Sequence, residues 1–177
     1  MTRKSAGKLV FLDETGASTN MARRYGRGPK SARVVSRVPH GHWSTTTFVA
    51  ALRTTGMTAP MIVNGPMNGE RFLAYIKQDL LPTLRRGDIV VMDNLSSHHR
   101  PGVRELVESA GCSVVYLPPY SPDLNPIELA YSRLKALLRK HAERTKEGLW
   151  TRLSQLVKTF TPNLCRNYFK HCGYTAN

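Results

Sequence analysis

Ile89-Val90-Val91-Met92-Asp93-Asn94 is an apolar run that ends in a carboxylate, and Tyr120-Ser121-Pro122-Asp123-Leu124-Asn125-Pro126-Ile127-Glu128 is a proline-framed turn that delivers a second carboxylate onto a helix. The residues between them complete one supersecondary unit. Pro101 suits a first helical position, Val103, Leu106, Val107 and Ala110 form a stripe, and Gly111 suits a C-cap. Ser113-Val114-Val115-Tyr116-Leu117 is a second apolar run. Strand, helix and strand with short joints predict a βαβ unit, with parallel strands covered on both faces. The fold class that follows is α/β.

Upstream, Leu9-Val10-Phe11-Leu12 reads as another short buried strand that ends at a third acid, Asp13, with Glu14-Thr15-Gly16 as its exit. Ala22 to Lys30 has no period and carries Arg23, Arg24, Arg27 and Lys30 among Gly and Pro, which makes it a loop suited to lie along a phosphate backbone, with Tyr25 available to stack. Arg33–Val38, Trp43–Leu52 and Ala59–Val63 alternate with turn signals at His40-Gly41-His42 and Thr55-Gly56, and predict an antiparallel meander. His40 and His42 read as turn residues rather than metal ligands. Asn68 is a good N-cap for a helix whose stripe is Phe72, Ile76, Leu80 and Leu84.

Downstream, three helices are expected to begin at Asn125-Pro126, near Thr145, and at Thr161-Pro162, with the last stopping at Gly173. The whole chain of 177 residues reads as one domain without repeats, and no apolar run approaches the ~18 residues of a membrane span. A cytosolic protein is expected. Three cysteines do not make a disulfide framework, so buried free thiols are expected.

The net charge of +14 is unevenly spread. Residues 1–40 contribute +7 and residues 131–177 contribute +8, while 41–130 amount to −1. Basic flanks around a neutral, acid-bearing centre point to a polyanionic partner, because neutralising phosphates releases counterions.

Each acid has a structural explanation by itself. Asp13 and Asp93 could end a strand or start a turn, and Asn125, Pro126 and Glu128 fall at N-cap, N1 and N3 of a capping box. Their joint placement argues otherwise. Ligand sites in α/β sheets form beyond the carboxyl ends of strands, which is where Asp13 and Asp93 are expected. Carboxylates held side by side raise each other's pKa unless a cation neutralises them. An all-oxygen site suits Mg²⁺ or Mn²⁺, and two such ions roughly 4 Å apart would support in-line displacement at phosphorus. Along the Glu128 helix, Ser132, Lys135 and Arg139 continue the polar face while Ile127, Tyr131, Leu134 and Leu138 form the apolar one. A carboxylate followed by cations is what a groove for a phosphate strand requires.

These residues resemble the DDE transposases of the mariner superfamily, in particular their bacterial insertion-sequence branch, over about residues 8–173. The resemblance is carried by Phe11-Leu12-Asp13-Glu14-Thr15-Gly16, by Val90-Val91-Met92-Asp93-Asn94 with Ser97-His98, and by Leu117 through Glu128, with 34 residues between Asp93 and Glu128. It implies a ribonuclease H-like fold with a mixed sheet, and Asp13, Asp93 and Glu128 as catalytic metal ligands. Asn94, His98 and Asn125 are expected to stand beside them as neighbours of the site. It further implies cleavage of DNA at transposon ends and joining of the 3′-hydroxyl to a target, by a homodimer or higher assembly on DNA in the bacterial cytosol, close to the nucleoid. Family members carry helix-turn-helix regions ahead of the catalytic domain, and only about eight residues precede the first strand here. A catalytic domain without that region is therefore expected. Two alternatives stay open: a related ribonuclease H-like nuclease, and a non-catalytic DNA-binding remnant or regulator of an intact transposase.

Overall fold

The computed structural model describes residues 6–94 and 101–174. Five strands form one sheet: β1 (Leu9–Ser18), β2 (Thr45–Arg53), β3 (Gly56–Asn64), β4 (Ile89–Met92) and β5 (Ser113–Tyr116), in the order β3-β2-β1-β4-β5. The leading three are antiparallel neighbours, and β1, β4 and β5 are parallel. The sheet is therefore mixed, and β1 belongs to both halves.

The helices are α1 (Gly69–Tyr75), which continues through wider and tighter turns to Thr83, α2 (Val103–Ser109), α3 (Pro126–His141), α4 (Lys146–Val157) and α5 (Pro162–His171). Alternation along β1 decides which side each helix serves. Leu9 and Phe11 face a cluster with Ile127, Tyr131, Leu134 and Leu138 of α3, Leu149 and Leu153 of α4, and Phe169 of α5. Val10 and Leu12 face a second cluster with Phe72 and Tyr75 of α1 and Val103 and Val107 of α2. With both faces covered, β1 and β4 bury successive residues, which is why they read as unbroken apolar runs. Asn68, Thr145 and Thr161 each accept a first-turn N–H and fix the starts of α1, α4 and α5. Cys112, Cys165 and Cys172 are free and buried. No helix among the described residues is long and apolar enough to cross a membrane.

Three expectations need correction. Arg33–Val38 forms no strand, and Val34, Val35 and Val38 are all exposed. Both edges of β2 are already occupied, by β1 and β3, and adjacent valines at 34 and 35 cannot present one apolar face. Asp13 does not end its strand: β1 runs on to Ser18 because β2 pairs with it as far as Ser18↔Thr45. Pro101 lies outside α2, which starts after Gly102, a residue held at φ 96° and capped when Glu105 accepts its N–H at 2.8 Å.

If 33–38 carries no load, Val35→Ser should change stability by less than about 0.5 kcal/mol. Leu52→Ala, inside the sheet, should cost roughly 2–5 kcal/mol. Urea unfolding of the two variants beside the parent chain checks both.

Candidate active site

The parallel ladder between β1 and β4 sets the site. Its last rung is Phe11↔Val91; Asp13 lies two residues further along β1, and Asp93 two residues further along the chain, just past the end of β4. On β1, two residues along the pleat bring Asp13 back to the face of Phe11, the one on which α3 packs. The β1/β4 pairing thus ends at Phe11 even though β1 continues alongside β2 to Ser18.

Helix α3 reaches Asp13 in two ways. Asn125, 4% exposed at its N-cap, donates from Nδ2 to Asp13 Oδ2 at 3.0 Å. One turn and a half later, the fully buried Tyr131 donates its hydroxyl to the Asp13 carbonyl at 2.6 Å and accepts the Ala50 N–H at 3.1 Å. Asp13 and Ala50 face each other across β1 and β2, so the phenol is inserted between the two strands at this residue. Tyr131 was legible only as part of an apolar helix face. The signal for more is that a buried tyrosine hydroxyl needs a polar partner.

The capping box that Asn125, Pro126 and Glu128 offered as an alternative reading of Glu128 does not form. The Asn125 N–H is taken by the Pro122 carbonyl at 3.0 Å, and its side chain makes no cap bond because it is turned to Asp13. Glu128 is exposed instead. It lines a cavity of about 380 Å³ together with Asp93, Asn94, Pro119, Tyr120 and Asn125. Asp13 lies behind this wall, connected to it through Asn125.

Burial is the main reason the Asp13 carboxyl is pushed up to about 7; the charges of Glu128, Asp93 and Glu14 add to it, while the Glu14 N–H donated to Oδ1 at 2.7 Å works against it. The side chain is 5% exposed. A carboxyl whose ionisation is opposed first by burial and then by three neighbouring acids is a group prepared for a counter-cation.

Among the described residues, no three His, Cys, Asp or Glu side chains are gathered closely enough to hold a metal ion. The donor chemistry nonetheless suits a hard divalent cation. The donors are oxygens throughout, Asp13 is charged only at a cost, and Asn125 Oδ1 is buried without a hydrogen-bond partner beside the cavity. His98 falls outside the described residues. Arg23, Arg24, Arg27 and Lys30 are exposed on the segment between β1 and β2, while Lys135 and Arg139 are half-buried on α3; none of the six borders the cavity.

The family described as DDE superfamily endonuclease matches residues 8–149. No curated protein sequence matches the chain significantly. Among solved structures, a pre-cleavage Mos1 transpososome superposes with a TM-score of 0.72 at 16% identity, over 95% of this chain and 52% of that one. The mariner Mos1 paired-end complex with Mg gives 0.72 at 16% identity, over 95% and 54%. The catalytic domain of Mos1 mariner transposase gives 0.64 at 17% identity, over 95% and 76%. The chain spans about half the length of the first two. The mixed five-stranded sheet with flanking helices has the ribonuclease H-like fold of these structures.

Two outcomes follow. In chelator-treated protein, folded Asp13 holds its proton up to pH about 7, whereas in the unfolded chain it ionises near 3.8. Its contribution to stability is therefore highest below 3.8 and falls as pH rises towards 7. The advantage of Asp13→Asn over the parent chain should grow by roughly 2–3 kcal/mol between pH 5 and pH 8, read by urea unfolding at both values. Tyr131→Phe keeps the ring and strands the two backbone groups that it bridged, at a cost of about 1–3 kcal/mol in the same measurement.

Proposed function

The chain belongs to the DDE superfamily endonucleases, and from that premise we propose that it is the catalytic domain of a transposase of the bacterial insertion-sequence branch, one domain over 1–177, that cleaves DNA strands at transposon ends and joins them to a target. The observation that carries the reading is the convergence on α3. The parallel pair β1 and β4 leads towards Asp13 and Asp93, Asp13 feels the charges of Asp93 and Glu128, and the helix that bears Glu128 is bonded to Asp13 itself.

In this reading Asp13, Asp93 and Glu128 hold Mg²⁺ or Mn²⁺, as a pair of ions. Mos1 structures solved with Mg and with Mn support that choice. When bound, such ions supply an activated oxygen nucleophile and neutralise charge on the leaving oxygen. The chain's own residues do the rest. Asn125 holds the Asp13 carboxylate in one orientation, so that little has to be reorganised as charge enters the site. Tyr131 sets the height of the Asp13 backbone relative to β2. Asn94 and His98 flank Asp93 in sequence and order it or a substrate phosphate. Arg23, Arg24, Arg27, Lys30, Lys135 and Arg139 bind the DNA backbone away from the chemistry, consistent with their place outside the cavity.

The Mos1 paired-end and strand transfer complexes support assembly of two or more copies on DNA, and a protein acting on DNA in a bacterium would work in the cytosol at the nucleoid. The basic flanks favour one other reading, a DNA-binding remnant or regulator of an intact transposase without catalysis. A ribonuclease H-like nuclease would differ from both by cutting without joining.

Plasmid nicking in Mg²⁺ or Mn²⁺ decides among them. Since altering the outer partners of a metal site already costs roughly 10–100-fold, Asp93→Ala and Glu128→Ala should each lower nicking by more than ~100-fold while leaving the folded state intact by circular dichroism. Undiminished nicking in either variant removes that acid from the mechanism. Salt-sensitive DNA binding by a parent chain that never nicks leaves the regulator reading, and nicking without strand transfer leaves the nuclease.

A further inference from the structure

Tyr120 is 101% exposed, more than any other large apolar or aromatic side chain among the described residues. Its backbone is left-handed, with φ +55°, a conformation that a bulky side chain disfavours and that Gly or Asn would adopt more readily. A ring that touches so little of the fold and strains its own backbone is not there to hold the chain together. Such outliers gather at ligand sites.

The surrounding segment is built to keep the ring where it is. Pro118, Pro119 and Pro122 restrict the backbone on both sides, and Ser121 Oγ donates to the Pro119 carbonyl at 3.3 Å. The Leu124 N–H bonds the Ser121 carbonyl at 3.2 Å, and the Tyr174 hydroxyl, from beyond α5, bonds the Leu124 carbonyl at 2.8 Å. The ring therefore projects from a stiff support at the wall of the cavity that Asp93 and Glu128 line.

That cavity, at about 380 Å³, has the size of a site for one nucleotide. A nucleotide that enters it leaves its neighbours in the strand and exposes the face of its base. We propose that Tyr120 replaces the lost neighbour: it is a stacking platform for the unstacked base next to the phosphate held at the acids. This rests on the reading of the chain as a metal-dependent enzyme acting on DNA. The basic residues attract the backbone, and the uncharged ring receives the base, whose identity matters little because every base has a π-face.

The test uses a single-stranded oligonucleotide of about a dozen nucleotides with one 2-aminopurine, titrated with the full chain in Ca²⁺ while a gel confirms that the strand stays intact. Binding is followed by anisotropy and stacking by quenching of the 2-aminopurine. The parent chain and Tyr120→Phe should quench saturably, and Tyr120→Ala should lose the quench and bind roughly tenfold more weakly. Tyr120→Gly should lose the quench as well, yet melt at a higher temperature than the parent, because glycine relieves the left-handed strain. Equal quenching by Tyr120→Ala and the parent, absence of quenching or binding by the parent, or a lower melting temperature in Tyr120→Gly would each overturn the assignment. Plasmid nicking by the parent in Mg²⁺ or Mn²⁺ is measured in parallel. Quenching without nicking spares the platform and defeats the enzyme, whereas nicking without quenching does the reverse.

Discussion

One helix is tied to one strand at a single residue, and the site inherits its geometry from that tie. Tyr131 of α3 bonds the main chain of Asp13 at 2.6 Å while Asn125, the N-cap of the same helix, bonds its carboxylate at 3.0 Å. Six residues separate the two donors, so they approach Asp13 from successive turns and fix both the position and the direction of α3. Glu128 lies between them in sequence. Its place at the cavity is therefore set by the bonds that its helix makes to Asp13, and the acid that needs to be near Asp13 is carried by the element that Asp13 anchors.

The arrangement has an electrostatic cost that the fold accepts. Asp13 is buried close enough to Asp93 and Glu128 to feel their charge, and the Glu14 N–H and the Asn125 amide relieve only part of the penalty. A hydrophobic residue at position 13 would suit the core better, since Phe11, Leu12, Val49 and Ala50 around it are all fully buried. A carboxyl kept there against desolvation reads as a site whose stability is completed by what it binds. Arg23, Arg24, Arg27, Lys30, Lys135 and Arg139 lie outside the cavity lining, so in the proposed reading attraction of a polyanion and the chemistry upon it fall to separate residues.

Where expectation and structure diverge, the missing information was always a partner. The valines at 34, 35 and 38 have strand propensity, but propensity is realised only against a free sheet edge, and β2 has none to offer. The capping box at Asn125 and Glu128 is locally sound, yet the Asn125 amide is drawn to a carboxylate 112 residues away in sequence, where burial makes the hydrogen bond worth more than an exposed helix cap.

The linear pattern by itself determined the parallel β4–α2–β5 unit, the antiparallel β2–β3 pair, the N-terminal residues of α3, α4 and α5, and the three acids with their interval. Each of these follows from periodicity, capping or turn chemistry, which act over a few residues. Tertiary structure alone decided that β1 continues past Asp13, that Asp13 is buried within reach of the Asp93 and Glu128 charges, that Asn125 and Tyr131 hold Asp13 from one helix and its cap, and that Tyr120 projects from its turn into solvent. These depend on register between strands and on which groups burial leaves in need of a hydrogen bond, and both are properties of residues that meet only when the chain has folded.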